Sequence, residues 1–144
     1  MMLSTEIVKF CQKKGYWFDE TTTEYENSLQ DIGIDLDSDI GYFYLHAEDS
    51  TAFLGPKGEL FQLCWHIANT DYCDTIESIR KVFRLSSDYF PLSSIEGQSG
   101  YFYNRANGSV IFLSASTNLL EFWEGKVTPQ WEDFSSFLTY FWQL

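Results

Sequence analysis

Gly100-Tyr101-Phe102-Tyr103 and Val110-Ile111-Phe112-Leu113 stand on either side of Asn107-Gly108. Aromatic and β-branched residues suit a pleated, half-buried surface, and Asn-Gly adopts the positive φ that tight hairpin turns demand. The stretch predicts two antiparallel strands, and the patterns around it settle the fold class. Downstream, Leu119 to Trp123 suggests one more strand, turned by Glu124-Gly125. Thr128 and Pro129 then read as the N-cap and first position of a closing helix whose apolar stripe is Trp131, Phe134, Phe137, Leu138 and Phe141. Upstream, Ile76, Ile79, Val82 and Phe83 recur at helical spacing behind Asp74, a good cap. Ala52-Phe53-Leu54 and Glu59-Leu60-Phe61-Gln62-Leu63, parted by Gly55-Pro56-Lys57-Gly58, read as a second strand-turn-strand.

The first fifty residues have the helical period instead. Ser4 to Lys14 places Ile7, Phe10 and Cys11 on one face, and Gly15 suits a left-handed cap. A second helix runs over Thr23 to Asp31 with Tyr25, Ser28, Leu29 and Ile32 inward. A third opens near Asp37 or Ser38 and carries Ile40, Phe43 and Tyr44 on one side; Gly41 weakens it by about 1 kcal/mol relative to Ala. Helices first, then strands and hairpins, then a closing helix predict an α+β fold with a central antiparallel sheet. No repeat or Pro/Gly/Ser-rich linker divides the 144 residues, so one domain over 1–144 is expected.

Charge narrows the function classes. Nine Lys+Arg against 21 Asp+Glu give a formal charge of −12, while 19% of residues are aromatic, far too many for a disordered acidic tail. Nucleic acid and anionic membrane surfaces need cationic partners, so neither is expected; a basic protein partner fits. The opening Met1-Met2-Leu3-Ser4-Thr5-Glu6 has no apolar run of signal-peptide length, and nowhere do about 18 apolar residues follow one another. Three cysteines make an odd number for a disulfide framework. Reduced thiols and a cytoplasmic location are the expectation.

The acids are unevenly placed. Between Gly15 and Pro56 there is no Lys or Arg, yet Asp19, Glu20, Glu24, Glu26, Asp31, Asp35, Asp37, Asp39, Glu48 and Asp49 all lie there. Such a field speeds capture of a cationic partner; the plainer alternative is a solvated surface. Aromatics interleave with these acids: Tyr16, Trp17, Phe18, Tyr25, Tyr42 and Tyr44. Core filling claims most of them, while exposed ones serve as anchors. Asp19, Glu20, Glu24, Glu26, Asp35, Asp37, Asp39, Tyr42, Glu48 and Asp49 are therefore the candidate partner-binding residues. Asp35, Asp37 and Asp39 alternate as in a calcium loop, but Ile40 stands where that loop needs glycine and Glu48 misses the twelfth place. Cys64-Trp65-His66 with Cys73 fits no zinc spacing. A thiol nucleophile would need an orienting Asn or Asp beside a Cys–His pair, so no catalytic residue, metal or cofactor is assigned. Arg80, Lys81 and Arg84 form the one basic cluster, suited to an internal salt network or to an acidic patch on a second copy, which leaves a homodimer open.

Several of these stretches together resemble the SUKH superfamily (SMI/KNR-like proteins). They are the helix Asp74 to Leu85, Ser87-Asp88-Tyr89-Phe90-Pro91-Leu92, Tyr101-Phe102-Tyr103-Asn104, and Gly108-Ser109-Val110-Ile111-Phe112-Leu113. Trp131 to Leu138 is similar to the family's closing helix. Ile32-Gly33-Ile34-Asp35-Leu36 before Ile40-Gly41-Tyr42-Phe43-Tyr44 is similar to its Gly-x-x-Leu-Pro segment and helix. The chain departs from the family in having Leu36-Asp37 for Leu-Pro, and Ala47-Glu48-Asp49 for a later Asn-Gly. The resemblance implies a binding role without an active site. In bacteria that is an immunity protein against a cognate toxin, such as a nuclease or another basic toxin; the alternative is a regulatory scaffold with no toxin partner. An enzyme ranks last.

Overall fold

The computed structural model describes residues 2–144. Three helices open the chain: α1 (Thr5–Lys14), α2 (Thr23–Asp31) and α3 (Asp39–His46). Each begins or ends where local chemistry dictates. Gly15 closes α1 at φ +79, a conformation that only glycine adopts without strain. The Thr22 hydroxyl accepts from the Tyr25 amide to cap α2, and the Ser38 hydroxyl accepts from the Gly41 amide to cap α3. Gly41 costs helix propensity, yet a Cβ there would collide with the backbone carbonyl of Asp35. The glycine lets the Asp35–Asp37 turn fold back onto the first turn of α3.

Two antiparallel sheets follow, a hairpin of β1 (Ala52–Gly55) with β2 (Gly58–Phe61), and a three-stranded sheet ordered β3 (Tyr89–Pro91), β4 (Ser99–Asn104), β5 (Ser109–Ser114). The Phe61 amide donates to the Leu92 carbonyl at 2.8 Å and joins one sheet to the other. Helices α4 (Leu63–Asn69) and α5 (Tyr72–Phe83) lie between the sheets in sequence, and α6 (Leu119–Trp123) and α7 (Phe134–Trp142) close the chain. The fold is α+β with a C-terminal helix.

The three-stranded sheet is buried on both faces, which explains its nearly continuous apolar run. Tyr103, Val110 and Phe90 face the main core, where Ile7, Leu29, Phe43, Phe53, Phe134 and Phe137 meet. Phe102, Ile111 and Leu113 face a smaller core closed by Phe83 and Leu119. The deciding hairpin pairs Asn104 with Ser109, so its loop is the four residues Arg105 to Gly108.

Four expectations are corrected. Leu119–Trp123 is a helix: Leu119 and Phe122 pack on the smaller core at helical spacing, whereas strand alternation would have buried Glu121. Helix α5 starts at Tyr72 behind Asp71, with Asp74 in its first turn, and Val82 is 61% exposed. The closing helix begins at Phe134 rather than beside Thr128, because Asp133 accepts from the Ser136 amide at 2.7 Å. Trp131 is meanwhile extended and exchanges two backbone hydrogen bonds with Val110. Helix α4 replaces the end of the expected strand: Gln62, wholly buried, accepts from the Cys64 and Trp65 amides and caps it. Among the described residues, no helix is long and apolar enough to cross a membrane.

Candidate functional site

The acidic segment folds into a groove. Phe18 to Thr22, which enters α2, forms one wall, and Leu45 to Glu48, which leaves α3, forms the other, around an open volume of about 580 Å³. Two backbone bonds hold the walls together: Phe18 N–H to the His46 carbonyl at 2.7 Å, and Glu48 N–H to the Tyr16 carbonyl at 2.9 Å. The Tyr25 hydroxyl donates to Glu48 at 2.7 Å across the floor. Burial, and then the Glu48 carboxylate, push the Tyr25 phenol up, so it stays a proton donor at any ordinary pH.

Gln62 supports this arrangement from behind. Its side-chain amide donates to the Tyr44 and Ala47 carbonyls at 3.1 and 2.6 Å, while its oxygen accepts from the first turn of α4. One buried amide thus fixes the C-terminal end of α3, which is the groove's second wall. Gln is a weak N-cap in sequence statistics, and this is why sequence reading misses both the helix and the anchor.

Aromatic rings edge the groove. His46 stacks on Trp17 with ring centres 5.1 Å apart and 15° between planes, and Tyr42 lies 4.6 Å from the His46 ring. The His46 Nδ1 is 2.7 Å from the Phe18 carbonyl, which makes that nitrogen a donor. Phe18 is 52% exposed and Tyr42 39% exposed, while Tyr44 lies wholly in the core. His46 escaped sequence reading because a single histidine carries no pattern.

The structure does not gather all the acids into one patch. Asp19, Glu20 and Glu48 line the groove. Glu24 is exposed on the first turn of α2, Asp49 is exposed just beyond Glu48, and Glu26 accepts from the Thr21 hydroxyl at 2.8 Å. Asp31 is the last residue of α2, a nine-residue helix and so about 13 Å long, and Asp35 and Asp37 lie beyond it. Asp35 caps its own turn by accepting from the Asp37 amide. Asp39 is corrected outright as a partner-facing residue. It is 4% exposed and its carboxylate accepts from the Ile40 and Ser135 amides, tying α3 to α7. Burial raises its pKa, and those backbone donors act in the opposite direction.

Among the described residues, none of the acids between Gly15 and Pro56 forms an ion pair. The ion pairs among the described residues are Arg80–Glu77, Arg105–Asp88 and Lys126–Glu124. The basic cluster is spent within the molecule: Arg80 also donates to the Tyr89 carbonyl, and Arg84 lies 4.3 Å over the Trp123 ring. Lys81 remains exposed.

Two of the three thiols, Cys11 and Cys64, and His66 are arranged for packing, while Cys73 is exposed. The Cys64 thiol donates to the Tyr25 and Tyr44 carbonyls, and burial raises its pKa; burial pushes the Cys11 thiol up to about 12. His66 faces the Thr51 carbonyl at 3.1 Å and stacks on Phe61, with burial lowering its pKa. No group of three or more metal-ligating side chains occurs among the described residues. No protein-family model, curated protein or solved structure matches the chain.

Proposed function

We propose that this chain is a protein-binding module of the SUKH type that acts in the cytoplasm as an immunity protein. It captures a cationic toxin domain and occludes that domain's active site. The observation that carries the reading is an acidic groove with an aromatic rim whose carboxylates have no cationic partner among the described residues. Exposed carboxylates of one sign steer a basic partner, and the stacked Trp17–His46 pair, with Tyr42 tilted against it and Phe18 beside it, supplies area at little rotamer cost. The resemblance to SUKH proteins supports the same role.

Co-expression with the toxic domain encoded immediately upstream, followed by purification, tests it. Survival with a one-to-one complex is the expected outcome; death while this protein remains folded overturns the immunity reading. Association of the purified pair locates the contact. Reversing Asp19 and Glu20 to Lys is expected to slow association at low salt by about tenfold and to flatten its salt dependence. Reversing Asp35 and Asp37, beyond the far end of α2, is expected to have a smaller effect. Equal effects would remove the groove from the proposal.

A further inference from the structure

Every sheet ends in strands whose outer backbone groups need partners, and this chain treats its outer strands unequally. In the three-stranded sheet all of them are closed. Along β5, Val110 exchanges two bonds with Trp131, Phe112 is held by the side-chain amides of Gln130 and Asn118, and Ser114 donates to the Asn118 oxygen. Along β3, the Tyr89 amide donates to the Ser86 carbonyl, and the Tyr89 carbonyl accepts from Arg80. Pro91 has no N–H to satisfy, and its carbonyl accepts from the Tyr72 hydroxyl at 2.7 Å.

Strand β1 has no such cover. Its hairpin closes on Gly55 and Gly58, and the Gln62 amide donates to the Thr51 carbonyl. Antiparallel alternation therefore turns Phe53 toward β2 and leaves Ala52 and Leu54 facing outward. Among the described residues nothing bonds to their amides or carbonyls, and Leu54 is 71% exposed. The strand begins four residues after Glu48, the end of the acidic groove wall, with exposed Asp49 between them, and Glu59 stands opposite Leu54 on β2.

We propose that the outer edge of β1 takes up an extended, cationic segment of the partner protein as an added strand, an inference that rests on the binding role proposed above. Main-chain bonds to Ala52 and Leu54 supply the pairing, Leu54 supplies an apolar contact, and Glu48, Asp49 and Glu59 select a basic strand. A second copy is a poorer occupant, because it carries the same −12 charge.

The probe is a capped alternating Lys/Val octapeptide, added to the intact protein at low salt. The expected result is slowed hydrogen exchange at the Ala52 and Leu54 amides. Binding should weaken at least tenfold in Leu54→Pro, which removes an outward N–H that bonds to nothing among the described residues. The same peptide N-methylated at alternate residues leaves the protein unaltered and is also expected to lose binding, so the test survives if Leu54→Pro fails to fold. Binding without protection of those amides, equal binding by the N-methylated peptide, or no binding overturns the proposal. So does protection that appears without peptide and grows with protein concentration, which assigns the edge to a second copy. If the wild-type chain neutralises the upstream toxin and a folded Leu54→Pro does so equally well, the edge proposal falls while the immunity reading stands. If the wild type fails, the immunity reading itself falls.

Discussion

The three-stranded sheet and the β1–β2 hairpin face one problem, backbone groups along an outer strand, and meet it in opposite ways. Around β3 and β5 the chain spends Asn118, Gln130, Arg80, Tyr72 and the backbone of Trp131 to close the outer edges. Around β1 it spends nothing, and the neighbouring carboxylates have no cationic partner either. The contrast teaches where the molecule has completed its own interactions and where it has left some for another molecule. The completed half is the one that holds most of the cations: Arg80, Arg84 and Arg105 are each engaged with a carboxylate or an aromatic ring. The open half holds the groove.

The largest predicted effect breaks the support of the open half. Gln62→Leu keeps the volume but strands the Ala47 carbonyl and the Cys64 amide, leaves the Tyr44 carbonyl only the Cys64 thiol, and should cost about 3 kcal/mol in urea unfolding. A loss under about 1 kcal/mol would show that α3 holds the groove wall without it.

Next, the closed edge can be opened. Asn118→Ala combined with Gln130→Ala leaves Phe112 and the Ser114 amide without side-chain partners. It should cost about 2 kcal/mol and bring concentration-dependent light scattering that the wild type lacks. If the double variant stays monomeric, edge closure is not what separates the two sheets.

A smaller effect concerns Asp39, the acid drawn into the core. Its folded pKa is raised by burial, so the folded state holds the proton more tightly than the unfolded chain does. Its contribution is therefore fullest below the unfolded value and falls as pH rises through the folded one. Asp39→Ala should be destabilised by about 1 kcal/mol at pH 3, with the gap narrowing toward pH 7. A gap that widens with pH would mean that the Ile40 and Ser135 amides outweigh the burial.

The smallest effect sharpens the contrast between stability and binding. Asp19→Lys with Glu20→Lys should move the urea midpoint by less than about 0.5 kcal/mol, since both side chains are exposed and unpaired. A large stability change would make the acids structural instead of partner-facing.

Much of this was legible in the residues. Thr23–Asp31 follows from the helical spacing of its inward residues, the start of the third helix from Ser38 as a cap, and the Asn107-Gly108 hairpin from its flanking aromatics. These are local matters, settled within a few residues of chain. The acidic bias of the first fifty residues was equally plain, because charge is additive along a sequence.

Other features depended on neighbours distant in sequence. Trp131 is drawn from the expected helix by Val110, and Leu119 to Trp123 is made helical by a second core that closes over Leu119 and Phe122. Asp39 is an acid like its neighbours until the Ser135 amide, 96 residues away, donates to its carboxylate. Composition, the Gly15 and Ser38 caps and the Asn107-Gly108 hairpin were thus determined by the sequence itself, since each rests on short-range sterics and hydrogen bonding. Which carboxylates face outward, and which strand edge stays open, was decided only by tertiary structure, because burial and long-range hydrogen bonds exist only once the chain has closed on itself.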